Sequence, residues 1–228
     1  MRRLLSSLVL IFSQTSLSQV TIEFPIERSD SGIEILTTVR LLSEMNAQNE
    51  DLLLAHGYRF AWQFDWNKPW LGAGSTLNGD VFSIMLWGGL VRSTGMTREA
   101  LELILCHEYG HALGGAPLQA DQWSSTEGQS DWWAARTCLP ELYQNRGLTV
   151  SASAERIRKA GLDFTLWVHR HYEPNGEIPS LERRAPALPP NEATISSYPS
   201  LQCRLDTYAT AAECVANHTT TCAQPHCL

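Results

Sequence analysis

The stretch Thr97 to Leu113, TREALELILCHEYGHAL, decides how the rest of the chain is read. Leu101, Ile104, Leu105 and Tyr109 recur at helical spacing. Thr97 suits an N-cap, and Glu99 and Glu102 suit the positive end of a helix dipole. Gly114, Gly115 and Pro117 then stop the run. The spacing predicts a helix over 97–113, and inside it lies the HExxH pattern His107-Glu108-Tyr109-Gly110-His111. Residues four apart share a helix face, so both imidazoles can reach one ion. Glu108 projects beside them, placed to act as general base on a water. A zinc ion lowers the pKa of a water it holds to about 7, which makes this chemistry accessible at neutral pH. His107 and His111 are therefore expected to bind one zinc ion.

A catalytic zinc needs a third protein ligand and an open position. The extended pattern HExxHxxGxxH fails here, because Gly114 is in place but Pro117 stands where the third His belongs. His169 and His171 lie far along the chain and read as a solvated pair at a helix end. Glu127-Gly128-Gln129-Ser130-Asp131 is the stronger candidate, starting sixteen residues after His111. Glu127 and Asp131 fall on one face of a second helix. Glu127 can ligate the metal, and Asp131 can accept a hydrogen bond from the far nitrogen of a ligand His, which fixes its tautomer. Cys106 points about 100° away from His107 on the helix, so it reads as a core or disulfide cysteine rather than a nucleophile.

Around this centre, Ile33 to Met45 reads as an amphipathic helix, and Ala61 to Trp66 and Val81 to Leu86 read as strands, the second followed by a Gly88-Gly89 turn. A helix is expected from about Ser124–Thr126 to Cys138, ended by Pro140, and another from Ala152 to His171. Residues about 173–199 carry six prolines and form a long loop. The eight tryptophans are read as core filling rather than a carbohydrate platform.

The whole chain has 228 residues, 43% apolar and 18% charged, which suits one globular domain. Its net charge of −7 and lack of a basic cluster argue against nucleic acid as a partner. Residues 1–18 read as a signal peptide: Arg2 and Arg3, the apolar Leu4 to Phe12, then the small residues Ser16 and Ser18. No later segment is long and apolar enough to span a membrane, so the mature chain, 19–228, is expected to carry no integral membrane segment. Six cysteines behind an export signal suggest disulfides, in an unspecified pairing, and a periplasmic or secreted location. The Cys-rich tail, 203–228, lacks bulky apolar residues and reads as a covalently stapled region. His218 and His226 among its cysteines imitate a zinc knuckle, but an exported chain favours disulfides. Asn217-His218-Thr219 fits a glycosylation sequon.

Taken together, three blocks resemble the zinc metallopeptidase family that contains HtpX, the CAAX prenyl endopeptidases and soluble periplasmic proteases such as BepA. GDVFSIMLWGGL (79–90) with MTREALELILCHEYG (96–110) resembles the family's strand, GL turn and HExxH helix. EGQSDWWA (127–134) resembles its ExEADxxA, and YPSLQCR (198–204) its C-terminal HPxxxxR. The resemblance spans over half the chain. It implies a gluzincin arrangement: ligands His107, His111 and Glu127, base Glu108, and a substrate backbone paired along the edge of the 81–86 strand. Arg204 matches the family Arg and is expected near an acid of the site. Tyr198 stands where the family commonly has His, and its hydroxyl can donate to a developing oxyanion.

The expected fold is α+β, a mostly helical zincin-like domain with a small sheet next to the HExxH helix. The expected activity is zinc-dependent endopeptidase action on peptides or unfolded chains of exported or envelope proteins. The alternatives are an exported zinc-containing chaperone or adaptor with little proteolysis, and a hydrolase of non-peptide amides. Oligomeric state and substrate preference are not encoded in any readable motif.

Overall fold

A computed structural model describes residues 29–186, 198–219 and 222. The expected signal peptide, most of the Pro-rich loop past 186, and the last residues of the tail lie outside the described residues. The architecture is α+β and mostly helical, with one small sheet. In chain order come α1 (Ile35–Ala55), β1 (Arg59–Asp65), β2 (Ala73–Asn78), β3 (Val81–Trp87), α2 (Gly88–Arg92) and α3 (Arg98–Leu113). Then follow α4 (Glu127–Trp133), a π-helical turn (Ala134–Cys138), α5 (Leu139–Asn145), α6 (Val150–Tyr172) and α7 (Leu201–Ala216). No helix is long and apolar enough to cross a membrane among the described residues.

Helix α3 is the axis around which the rest is packed. Thr97 caps it by accepting the Ala100 N–H, and every residue from Ala100 to Ala112 is buried. A helix buried all round needs neighbours on every side. The sheet, α1, α4 and α6 supply them. Phe82, Ile84 and Leu86 of β3 are fully buried, and the ring of Phe82 meets that of Tyr109 of α3 at 6.2 Å. On the other flank the buried row Leu41, Met45, Asn49 and Leu53 continues at helical spacing, which is why α1 runs ten residues past the expected end at Met45.

The strand order is β1-β3-β2, with β1 parallel and β2 antiparallel to β3. This corrects the expectation that the 81–86 strand has an edge free for substrate: β3 is the central strand, paired on both sides. Among the described residues the outer edges belong to β1 and β2, and β2 is the strand that the sequence pattern does not mark. It joins β3 through the two-residue turn Gly79-Asp80, where Gly79 adopts a φ of 62°. Arg59 makes a two-pronged ion pair with Asp80, 2.7 Å on each arm, clipping β1 to that turn. Gly88 and Gly89 do not make a turn but begin α2. A Cβ on either would lie within 2.0 Å of the carbonyl oxygens of Trp66 and Pro69, so glycine is what lets the 66–70 segment cross here.

Two further expectations are corrected at the C-terminal side. Pro140 does not end its helix. The chain passes through the π-helical turn into α5, with Pro140 in the first turn of α5. The tail is also not simply stapled for want of a core. Leu201 to Ala216 is a helix with Leu205, Tyr208, Ala211 and Ala212 almost wholly buried against α6. Close approach is possible because Gly161 of α6 faces Tyr208: a Cβ there would lie 2.6 Å from the Cβ of Tyr208. Disulfides do bind this half, joining Cys106 to Cys138 and Cys214 to Cys222, and Cys203 is disulfide-bonded as well. Trp132, Trp133 and Trp167 are buried in the core, as read from the sequence, while Trp70 is exposed.

Candidate metal centre

Gly110 sets the geometry of the centre. A Cβ at that position would lie 2.8 Å from the Ser130 carbonyl oxygen, so only glycine lets α4 cross α3 this closely. The crossing brings Glu127 and Asp131 of α4 against the His107–His111 face of α3. Thr126 caps α4, and the loop before it is folded on itself by the Gln119 N–H to Ser124 O bond and by Asp121, which accepts from Ser124. That loop delivers the Ser125 carbonyl to the site.

Ligand atoms of His107, His111 and Glu127 all lie within 4.8 Å of one another. The two imidazoles are held in matching tautomers. Nδ1 of His107 lies 2.7 Å from Oδ1 of Asp131, and Nδ1 of His111 lies 2.9 Å from the Ser125 carbonyl, with Ser130 Oγ at 3.0 Å. A carboxylate and a carbonyl accept only, so both Nδ1 atoms donate, and both Nε2 atoms face Glu127. Those Nε2 atoms stand 3.2 Å from Oε2 and 3.8 Å from Oε1 of Glu127. Oε2 is buried with no hydrogen-bond partner. Two imidazole nitrogens and a carboxylate oxygen converging on one point, with a buried oxygen left unsatisfied, could hold a metal ion.

Charge balance points the same way. Glu127 and Asp131, with Glu108 beside them, are largely or fully buried, and Arg204 is the one guanidinium paired with these acids among the described residues. Burial works against protonating His107, but the charges of Asp131 and Glu127 outweigh it and push the imidazole up to about 10. Burial likewise opposes ionising Glu127 and Asp131, yet the cations beside them hold both carboxyls below their ordinary values. The site thus demands a cation, whether a proton on His107 or a metal ion.

Asp131 is the hub behind the ligands. Its Oδ1 accepts from His107 Nδ1, from Arg204 Nη2 at 2.7 Å and from the Tyr208 hydroxyl at 2.5 Å, while Oδ2 accepts from Arg204 Nε at 2.7 Å. Arg204 thereby acquires the partner the sequence left unnamed. Its guanidinium also lies over two aromatic rings, 4.7 Å from the Phe164 centroid and 5.8 Å from that of Tyr198. Tyr198 is 63% exposed, but its phenol end is crowded enough, and close enough to Glu127 and Glu108, to be held well above the usual tyrosine range. Glu108, only 7% exposed, has no hydrogen-bond or ion-pair partner among the described residues.

The structure therefore brings together every residue singled out from the sequence: His107, Glu108, His111, Glu127, Asp131, Tyr198 and Arg204. His169 and His171 stay apart, bonded to the carbonyls of Gly176 and Thr94. Pro117 accepts from the Thr126 N–H and contributes no ligand. Tyr208, Ser125 and Ser130 were missed. Tyr208 lies four residues after Arg204, a signal visible only once 201–216 is known to be helical. No family model, no curated protein and no solved structure matches the chain.

Proposed function

We propose that this protein is a zinc-dependent peptidase with a gluzincin arrangement, hydrolysing peptide bonds of exported or envelope proteins in a periplasmic or secreted setting. The observation that carries the reading is the convergence of ligand atoms of His107, His111 and Glu127 within 4.8 Å, beside a buried Glu108 that has no partner among the described residues. Zinc is the ion best suited to two imidazoles and a carboxylate, and when bound it supplies a Lewis acid that activates water and polarises a carbonyl. Glu108 takes the proton from the attacking water and delivers it to the leaving amine, closing the proton cycle without an external acid. Tyr198 keeps its proton at neutral pH and donates a hydrogen bond to the oxygen on which charge develops. Asp131, fixed by Arg204 and Tyr208, keeps His107 in its ligating tautomer. The outer strand β2, packed beside α3, offers the edge along which an extended peptide can pair. The likeness to the family of HtpX and BepA in three ordered motifs supports this reading, and the disulfides suit an oxidising compartment.

The test is hydrolysis of a labelled, unfolded protein by the Glu108→Gln variant. Loss of the general base is expected to slow cleavage by about 10²–10⁴-fold with metal content unchanged. Cleavage at the parent rate removes the hydrolytic role of Glu108. A parent protein that binds the unfolded chain without cutting it replaces the peptidase reading with that of a zinc-containing chaperone.

A further inference from the structure

A cavity of about 350 Å³ lies between α1 and β1. One wall is aromatic: Tyr58, Phe60 and Trp62, carried by alternate residues leading into and along β1. Phe60 and Trp62 meet edge to face with centroids 5.0 Å apart, and Phe60 stacks at 5.3 Å on Tyr109 of the HEYGH stretch. The other wall is α1, which contributes Asn46, Glu50 and Leu53. Two of the lining residues each carry a buried side-chain atom without a hydrogen-bond partner, the indole Nε1 of Trp62 and Oδ1 of Asn46.

The charges of the cavity are unequal. Arg59 at its mouth is committed to Asp80 through two 2.7 Å bonds. Glu50 has no ion-pair partner among the described residues. The uncompensated charge is therefore negative, in a chain whose net charge is also negative and which attracts cations. A carboxylate beside several aromatic rings is the recognition chemistry of a quaternary alkylammonium group, which the ring quadrupoles attract and water binds weakly. The two orphaned atoms add a requirement. Trp62 Nε1–H needs an acceptor and Asn46 Oδ1 needs a donor, and a hydroxyl is both.

We propose that this cavity is a binding site for a small hydroxyl-bearing alkylammonium compound, with the cation between Glu50 and the aromatic wall and the hydroxyl on Trp62 and Asn46. The volume lies within the usual range for small-molecule sites, and the site is independent of the hydrolytic reading of the metal centre.

The probes are choline and its uncharged isostere 3,3-dimethylbutan-1-ol, titrated calorimetrically into the whole protein. Choline is expected to bind at least about tenfold more tightly than the neutral alcohol, the difference that cation–π and carboxylate attraction supply. Glu50→Gln, an exposed position whose change does not threaten folding, is expected to reduce that preference to about twofold or less. Trp62→Phe keeps a ring of weaker cation–π attraction and removes the N–H, so it is expected to weaken choline several-fold more than it weakens tetramethylammonium. No choline binding at millimolar concentration, equal binding of the neutral alcohol, unchanged choline affinity in Glu50→Gln, or equal losses for choline and tetramethylammonium in Trp62→Phe would each overturn the proposal.

Discussion

Replacing Asp131 by Asn changes one atom and removes one charge at the most connected side chain of the site. Asp131 is fully buried and accepts from four donor groups, three on Oδ1 and one on Oδ2. The amide oxygen of the asparagine can best take the Oδ1 position and keep His107, Tyr208 and Arg204 Nη2. Its NH₂ then lies where Oδ2 was, 2.7 Å from Arg204 Nε, donor against donor. Arg204, 6% exposed, is left without the counter-charge that directly contacts it. Breaking a buried ion pair in this one-sided way costs about 3–5 kcal/mol. At roughly 2–4 °C per kcal/mol for a chain of this size, the metal-stripped variant is expected to melt about 6–20 °C lower. Metal affinity is expected to fall about 10–100-fold, because His107 loses the negative partner that makes it a good ligand. Urea unfolding of the stripped protein gives the first number, and competition with a chelator gives the second. The double variant Asp131→Asn/Arg204→Met separates them: it should recover stability by removing the stranded charge, yet not recover metal affinity. An Asp131→Asn variant within about 1 kcal/mol of the parent, with unchanged affinity, would refute the assignment of Asp131 as the hub.

Two further outcomes follow from the same geometry. His107 is raised from an ordinary 6.5 to about 10, so in the metal-stripped protein its contribution to stability is full below about 6.5 and is lost as pH rises through about 10. An incoming ion must displace that proton, so metal binding near pH 8 is expected to release about one proton and to tighten with rising pH; calorimetry in buffers of different ionisation heat reads the number, and a heat independent of buffer contradicts it. The Cys106–Cys138 bond closes a loop across 32 residues and ties α3, next to His107, to the helix run that carries Glu127. Changing both cysteines to Ala is expected to cost roughly 3–4 kcal/mol in denaturant unfolding, and a loss below about 1 kcal/mol would mean that packing alone holds the two helices in register.

How much of this was legible in the sequence depended on the kind of signal. The pairs His107–His111 and Glu127–Asp131 are local: four-residue spacing on a helix fixes which side chains share a face, and the structure needed only to bring the two faces together. Glu102 shows the limit of local reading. It suits the dipole from its place in the sequence, yet the structure gives it two ion pairs, to Arg98 and to Arg146 from beyond α5. Strand β2, AGSTLN, carries little alternation because it is an outer strand with no fully buried residue. Its strongest mark is the Asn78-Gly79 turn. Helix α7 escaped notice because the small residues Cys203, Ala209, Ala211, Ala212 and Cys214 dilute the bulky Leu201, Leu205, Tyr208 and Val215 on its buried face. Small residues permit close packing on α6 while giving a weak hydrophobic period. With α7 unseen, Tyr208 and the Arg204–Asp131 pair were unseen too.

The central claim is that His107, His111 and Glu127 together hold one metal ion. Metal content per chain, measured by mass spectrometry on dialysed parent, His111→Ala and Glu127→Ala proteins, tests it most directly. About one zinc per parent chain is expected, with most of it lost in each variant and the folded helical signal retained. Full zinc occupancy in Glu127→Ala would contradict the claim, since the ion would then be held elsewhere or without the carboxylate.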